Sequence, residues 1–162
     1  MPKLALQISA QLTNVQKLRP ATDDAALMMR VKCSSCHEEH KKEVSFSPLD
    51  EVDVQGGKGK ANFVMSCQFC KRPASANFET PTAKAPLYQP YDGPDFATLC
   101  VLEFRGMEPV GFVFEHTTWR AVSEAGAAFA ELEFEDGEWT DYDEKGGCEV
   151  SVMEVEARWV RA

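Results

Sequence analysis

The chain has 162 residues, of which 44% are hydrophobic and 27% are charged, and its formal net charge is −9 at pH 7. These values predict one globular domain, residues 1–162, that is long enough to bury a sizeable core. The acidic balance argues against nucleic acid and an anionic membrane surface as partners, because both attract basic proteins. The chain contains no run of about 18 apolar residues, so we expect no membrane span.

The N-terminal third alternates apolar and polar side chains, which is the period of a half-buried strand. This pattern predicts a strand over residues 3–12 and another over residues 27–31 that delivers the chain to Cys33. A polar run at residues 37–42 follows, and a short strand is predicted at residues 44–46. The first cysteine of the chain is therefore expected at the end of a strand.

Two Cys-x-x-Cys pairs are the most informative motif. They read Cys33-Ser34-Ser35-Cys36 and Cys67-Gln68-Phe69-Cys70. Two intervening residues let a tight turn direct both sulfurs at one ion, and a second pair completes a tetrahedron, so the spacing predicts one Zn²⁺ per chain held by four thiolates. A site closed by four protein ligands has no position for a catalytic water, and we therefore expect no enzymatic activity from it.

Other uses of these cysteines are less consistent with the sequence. A redox dithiol normally opens a helix, and neither pair does so. Cys33 to His37 also spells the c-type haem attachment motif, but that interpretation leaves the second pair unexplained. No export-signal pattern precedes them, so we expect a reducing compartment, the cytoplasm or also the nucleus, and no disulfides. Cys100 and Cys148 are expected to be buried small hydrophobes.

Between the pairs, Gly56-Gly57-Lys58-Gly59-Lys60 admits two interpretations. A phosphate cradle is disfavoured, because the Walker pattern is missing and no helix clearly follows. A hairpin between strands at Val52–Val54 and Asn62–Met65 is favoured, since glycine supplies positive φ in tight turns. It would bring both cysteine pairs to the same end of a sheet. Residues 81–94 then carry four prolines and predict a surface crossover.

Further strands are predicted in the C-terminal half, at residues 99–104, 110–114 and 131–135. Residues 119–129 are predicted to form a loop or one short helix. The last strand, residues 150–159, changes its apolar phase midway, which indicates a β-bulge. About nine or ten short strands with little helix predict an all-β fold, an antiparallel sandwich or open barrel with the zinc knuckles at one end.

Charge divides the chain unequally. Residues 1–90 carry 12 basic against 9 acidic side chains, a balance of +3, whereas residues 91–162 carry 5 against 17, a balance of −12. Eight carboxylates and no basic residue lie between Glu131 and Glu144, together with Trp139 and Tyr142. A calcium loop is disfavoured by Lys145 at a ligand position. The stretch is either a solvated face or the surface that contacts a basic protein partner.

Several stretches of the chain form a specific set: Leu18-Arg19-Pro20, both Cys-x-x-Cys pairs, Gly56-Gly57-Lys58-Gly59 with Ala61-Asn62, Glu103-Phe104-Arg105-Gly106-Met107-Glu108-Pro109 and Trp139-Thr140-Asp141-Tyr142-Asp143-Glu144. With this set, the chain resembles the eukaryotic CXXC-motif-containing zinc-binding protein family over nearly its whole length. The resemblance implies an all-β fold, one zinc on Cys33, Cys36, Cys67 and Cys70, and an intracellular protein with no established enzyme activity.

Two functional hypotheses follow from the sequence. In the first, the chain is a monomeric, zinc-stabilised protein-interaction module with a zinc-bearing half (residues 1–80), a proline-rich crossover (81–94) and an acidic half (95–162). In the second, it is a metal-handling protein that exchanges zinc or copper(I) with a partner, since thiolates suit both ions.

Overall fold

A computed structural model describes residues 3–54, 59–79 and 86–162, and in these residues nearly every regular element is a strand. The exception is a 3₁₀ turn at Phe114–His116. Within the described residues, no helix has the length and apolarity that a membrane crossing requires. The strands are β1 (Lys3–Thr13), β2 (Val15–Pro20), β3 (Leu27–Cys33), β4 (Val44–Phe46), β5 (Val52–Asp53), β6 (Lys60–Ala61), β7 (Phe63–Ser66), β8 (Pro73–Phe78), β9 (Ala97–Arg105), β10 (Met107–Val113), β11 (Trp119–Ser123), β12 (Ala128–Leu132), β13 (Trp139–Asp143) and β14 (Cys148–Arg161).

The largest sheet has six strands in the order β13-β14-β1-β9-β8-β7, and every neighbouring pair in it is antiparallel. Its curled, half-barrel form confirms the all-β class that the alternating sequence predicts. Leu6 and Ile8 of β1 are at most 1% exposed, whereas Gln11 on the same strand faces solvent. The alternating apolar face of β1 therefore lies in the core.

Three smaller sheets complete the fold. Their orders are β10-β3-β4, β12-β11-β2 and β5-β6. Trp119 is fully buried and stacks on Phe114 at 5.7 Å between ring centroids, and both rings contact Phe134 edge-on at 5.8 Å. Burying aromatic side chains of this size contributes about 1.5–3 kcal/mol each in transfer free energy. This aromatic cluster packs the 3₁₀ turn that follows β10 against the β11–β12 hairpin.

The predicted bulge is present in β14. Its register against β1 shifts between Ser9 and Gln11, which pair with Glu156 and Met153. Glu154 lies in the gap and has φ of 51°, in the left-handed region. One extra residue on β14 explains why its apolar positions change phase in the sequence.

The prediction for residues 119–129 is wrong, because these residues form β11, a tight turn and the start of β12. Trp119, Ala121 and Ser123 are buried at alternate positions of β11, which is the period of a strand. Gly126 has φ of +94° and donates its N–H to the Ser123 carbonyl at 2.9 Å, which closes the turn. The alanines in this segment favour a helix, but the turn at Gly126 and the packing of Trp119 in the core favour two paired strands.

Two other local predictions need correction. The β5 strand pairs with β6, whereas β7 pairs with β8 and not with the residue 52–54 segment. The strand predicted at residues 110–114 is β10, which begins earlier, at Met107, because Pro109 pairs with Val31 at a register shift that tolerates its missing N–H. The hairpin tip at residues 55–58 lies outside the described residues.

The proline-rich crossover is described from residue 86 onward, and its residues 81–85 lie outside the described part. Tyr88 is fully buried and Tyr91 is 2% exposed. The Tyr91 hydroxyl accepts the Ala10 N–H at 3.0 Å and donates to the Asp95 carbonyl at 3.0 Å. These two tyrosines fix the crossover to the core, a role that their isolated positions among prolines did not indicate.

Candidate metal centre

The four cysteines of the two Cys-x-x-Cys pairs form one cluster. Their Sγ atoms all lie within 4.8 Å of one another. Cys33 Sγ is 3.6 Å from Cys70 Sγ, and Cys36 Sγ is 3.6 Å from Cys67 Sγ. A tetrahedron with Zn–S bonds of about 2.3 Å has edges of about 3.8 Å, whereas a disulfide requires about 2.05 Å. The spacing therefore fits a shared zinc and does not fit disulfides.

Strands from two different sheets position the cluster. Cys33 ends β3, in a three-stranded sheet, and Cys67 follows β7, in the six-stranded sheet. Cys33 and Cys67 are buried, whereas Cys36 and Cys70 are half-buried. A bound metal ion would consequently join the two sheets, with one sulfur of each pair on the solvent side.

Both pairs have the same backbone hydrogen bonds, and we call the two turns knuckle 1 (residues 33–38) and knuckle 2 (residues 67–72). The Cys33 N–H donates to the Glu38 carbonyl at 3.0 Å, and the Cys67 N–H donates to the Arg72 carbonyl at 2.9 Å. These bonds close each turn so that its two sulfurs point in one direction. The cluster thus consists of two equivalent turns that face each other.

Backbone N–H groups also act on the sulfurs. The N–H groups of Cys36 and Ser35 donate toward Cys33 Sγ and lower the pKa of Cys33 to about 6. The N–H groups of Cys70 and Phe69 likewise lower the pKa of Cys67. Hydrogen bonds that favour the thiolate prepare a sulfur for metal binding, because the thiolate is the ligand form.

Cys36 behaves differently. The Glu38 N–H favours its thiolate, but burial and the neighbouring thiols, Cys67 first, oppose it and raise the pKa of Cys36 to about 12. Like charges at these separations repel one another, which disfavours the Cys36 thiolate in the absence of a cation. Zn²⁺ supplies that charge and deprotonates its thiol ligands. The donor set therefore fits zinc. A zinc ion bound here would hold the backbones of the two turns together, and with four protein ligands it would have no open coordination position.

Histidines near the cluster are not part of it. Within the described residues, the four cysteines are the one group of potential metal ligands that lie close together, and no histidine belongs to that group. His37 is exposed, and His40 Nδ1 lies 2.7 Å from the Lys42 carbonyl oxygen. His116, which has no obvious partner in sequence, lies 2.9 Å from the Ser45 hydroxyl through Nε2. That pair joins residues 71 positions apart, a contact that sequence spacing cannot reveal.

The remaining cysteines are unpaired. Cys100 is 3% exposed, and burial raises the pKa of its thiol. Cys148 is half-buried at the start of β14 and lies outside the cluster. Cys100 is the small buried hydrophobe that was expected, and Cys148 is only partly so.

The acidic stretch from Glu131 to Glu144 lies along β12, β13 and the turns beside them. Seven of its eight carboxylate side chains are exposed, and Asp143 is buried. Trp139 is half-buried with its ring edge-on to Phe129 at 5.3 Å, while Tyr142 is 52% exposed. We call this region the acidic face. It contains a groove of about 240 Å³ lined by Glu133, Glu135, Glu138, Trp139 and Thr140.

Fold and site together define an all-β protein with one zinc site built from paired cysteines. Its sequence matches the family described as CXXC motif containing zinc binding protein, eukaryotic, over residues 5–160, and the chain belongs to this family. Proteins named CXXC motif containing zinc binding protein from Mus musculus and Homo sapiens are each 35% identical to it over 161 residues, which is 99% of this chain and of theirs.

Solved structures agree with the fold. The crystal structure of C1orf123 superimposes with a TM-score of 0.86 at 33% identity and covers 99% of both chains. A hypothetical protein from Plasmodium falciparum has a TM-score of 0.83 at 19% identity, over 99% of this chain and all of its own, which shows a shared fold alone. The family assignment and the cysteine cluster confirm zinc as the cofactor.

Proposed function

We propose that the chain is a zinc-stabilised, non-enzymatic interaction module that contacts a basic protein partner through its acidic face. The observation that carries this proposal is the exposure of seven carboxylates around Tyr142 and the half-buried Trp139. Like charges concentrated on one surface repel each other and destabilise the fold, whereas solubility is served equally by dispersed charge. Aromatic side chains beside such charge resemble the anchors and rim of a protein interface.

The cytoplasm, or also the nucleus, is the proposed location, with the protein as a monomer that binds neither nucleic acid nor membrane. The six unpaired cysteines support a reducing compartment. The net charge of −9 supports a partner other than nucleic acid or anionic lipid.

The experiment compares the native protein with a Glu135→Lys/Glu138→Lys/Asp141→Lys variant, both zinc-loaded, as baits in cell lysate at low and high salt. We expect the native protein to retain a distinct set of basic partners at low salt and to lose part of that set at high salt. The variant should fail to recover these partners. Charge attraction acts mainly on the association rate, which ionic strength lowers.

A matched control reverses the same number of exposed carboxylates elsewhere. The Glu43→Lys/Glu51→Lys/Glu115→Lys variant has the same net charge as the test variant and leaves the acidic face intact. It should recover the native set of partners. Equal recovery by the native protein and the test variant at both salt concentrations would show that the acidic face only solvates the protein.

Metal handling is the second candidate, and the half-buried Cys36 and Cys70 favour it. An incoming thiolate from a partner can reach the solvent-side sulfurs, which is the geometry that ligand exchange requires. Zinc release to a competing chelator separates the candidates: a structural site holds zinc for hours, whereas a transfer site passes it to a partner thiol within minutes. The same assay with copper(I) tests the other ion that thiolates bind well.

A further inference from the structure

We propose that Gly106 is a positioning residue of the zinc site, because the absence of a side chain at this turn sets the distance between the two knuckles. Gly106 joins β9 of the six-stranded sheet to β10 of the three-stranded sheet. The chain therefore passes between the sheets at the same end where the cysteines meet. This inference concerns zinc retention and is independent of any partner of the acidic face.

Knuckle 1 is bound to Gly106 directly. The Ser34 N–H donates to the Gly106 carbonyl at 3.1 Å. Ser34 directly follows Cys33, and Met107 pairs with Cys33 across β10 and β3. The position of the Cys33 sulfur consequently depends on where the backbone of the 106 turn lies.

The start of β8, which directly follows knuckle 2, is packed against Gly106. A Cβ atom at this position would lie 2.5 Å from the Pro73 carbonyl oxygen and 3.2 Å from Ala74 Cα. Both are backbone atoms, so no side-chain rotation can relieve the contact. Gly106 also has φ of +75°, which glycine adopts without the cost that a Cβ imposes.

The displacement that a side chain would cause is transmitted to the sulfurs. Pro73 begins β8 immediately after Arg72, whose carbonyl accepts the Cys67 N–H. Moving Pro73 away from residue 106 therefore moves knuckle 2 away from knuckle 1. Mutations of the groups that orient metal ligands typically reduce metal affinity about 10–100-fold.

The test substitutes Gly106→Ala in the full-length protein, with Gly147→Ala as the matched control. Gly147 has a similar φ of +65°, but a Cβ there would meet no atom within 4 Å. Both variants place a Cβ on a left-handed backbone, and only Gly106→Ala adds the contact with the Pro73 and Ala74 backbone. Zinc affinity and release rate are measured by chelator competition, tetrathiolate geometry by the visible spectrum of the Co²⁺-loaded protein, and the stability of each metal-free form by urea unfolding.

We expect Gly106→Ala to weaken zinc binding about 10–100-fold relative to Gly147→Ala, with an altered Co²⁺ spectrum. The contact with Pro73 does not depend on the metal, so the metal-free Gly106→Ala form should also be less stable than the control. Zinc affinity within threefold of the control, or a Co²⁺ spectrum identical to that of the control, would overturn the proposal, since Gly106 would then support the fold and not the site.

A second pair of variants keeps the proposal testable if Gly106→Ala does not fold. Ser34→Pro removes the N–H that bonds to Gly106, and Gln68→Pro places the same ring at the equivalent position of knuckle 2. The Gln68 N–H makes no hydrogen bond within the described residues, so this control loses none. Zinc release should be about tenfold faster or more in Ser34→Pro than in Gln68→Pro, and equal rates would overturn the proposal.

Discussion

His37 and Lys71 occupy the same position in the two knuckles and adopt the same left-handed backbone conformation, with φ of 62° and 65°. Each lies four residues after the first cysteine of its knuckle and donates its N–H to that cysteine's carbonyl at 3.0 Å. The two residues share neither charge nor shape, so the conformation belongs to the turn. Both side chains are exposed, and neither belongs to the cysteine cluster.

Glycine at these two positions should therefore preserve the site. A left-handed conformation costs a residue with a Cβ about 1–2 kcal/mol, and glycine avoids this cost. Glycine also loses more chain entropy on folding, which offsets about 0.5–1 kcal/mol of the gain. We expect His37→Gly and Lys71→Gly each to raise the unfolding free energy of the zinc-loaded protein by about 0.5–1 kcal/mol. Urea unfolding measures the change. Loss of zinc from His37→Gly would show that the imidazole is a ligand.

Removing one sulfur from each knuckle should abolish zinc binding. The Cys33→Ser/Cys67→Ser variant leaves two thiolates, which cannot close a tetrahedral site. Elemental analysis after zinc-replete expression should give one zinc per native chain and less than about 0.1 per chain of the variant. Cys148→Ser is the control, because Cys148 lies outside the cluster, and it should retain one zinc. Full metal content in the double variant would refute the assignment.

Zinc removal should loosen the knuckles before it unfolds the rest of the chain. Zinc-finger peptides depend on about 10–16 kcal/mol of binding energy for folding because they lack a core. This chain buries an extensive core in β1, β9, β11 and β14, away from the cysteines. Hydrogen exchange of the chelator-treated protein should therefore accelerate in residues 31–72 while β9, β11 and β14 remain protected. Uniform acceleration would mean that the metal holds the whole fold.

Asp143 should make the fold sensitive to acid. The Ser123 hydroxyl, followed by the N–H groups of Gly146 and Lys145, lowers the pKa of Asp143 from its ordinary value of 3.8. Because the pKa is lower in the folded state, the stabilisation is complete above the unfolded pKa and is lost as the pH falls through the folded one. Asp143→Asn should thus destabilise the protein at neutral pH, by a difference that shrinks below about pH 4.

Urea unfolding of the native protein and Asp143→Asn between neutral and strongly acidic pH measures this difference. The exposed Glu144→Gln removes the same charge from the next residue and serves as the control. It should leave stability nearly unchanged at every pH. A difference between Asp143→Asn and the native protein that is independent of pH would contradict the assigned role of the carboxylate.

Local sequence patterns predicted most of the strands and the ligand set, because both depend on residues close together in the chain. Period-two alternation identified β1 and β3, and the phase change in β14 identified its bulge. The Cys-x-x-Cys spacing likewise depends on one turn. The hairpin at residues 119–129 was missed, because the alanines of this segment favour a helix. The alternate burial of Trp119 and Ala121, which identifies a strand, is visible only in the structure.

Long-range contacts explain the other omissions. The burial of Tyr88 and Tyr91, the approach of Ser45 to His116 and the crowding of Gly106 by Pro73 all join distant segments. No local period encodes such contacts. The error at residues 52–54 is local in origin: their partner is β6, whereas the predicted partner, residues 62–65, falls largely in β7 and pairs with β8.

X-ray absorption spectroscopy at the zinc edge tests the central claim most directly, namely that one zinc is held by the four thiolates of two equivalent knuckles. The native protein, purified with its metal, should show four sulfur neighbours at about 2.3 Å and no nitrogen or oxygen in the first coordination shell. One or more nitrogen or oxygen neighbours at about 2.0–2.2 Å would contradict the claim, because a histidine, carboxylate or water would then occupy a position assigned to a cysteine.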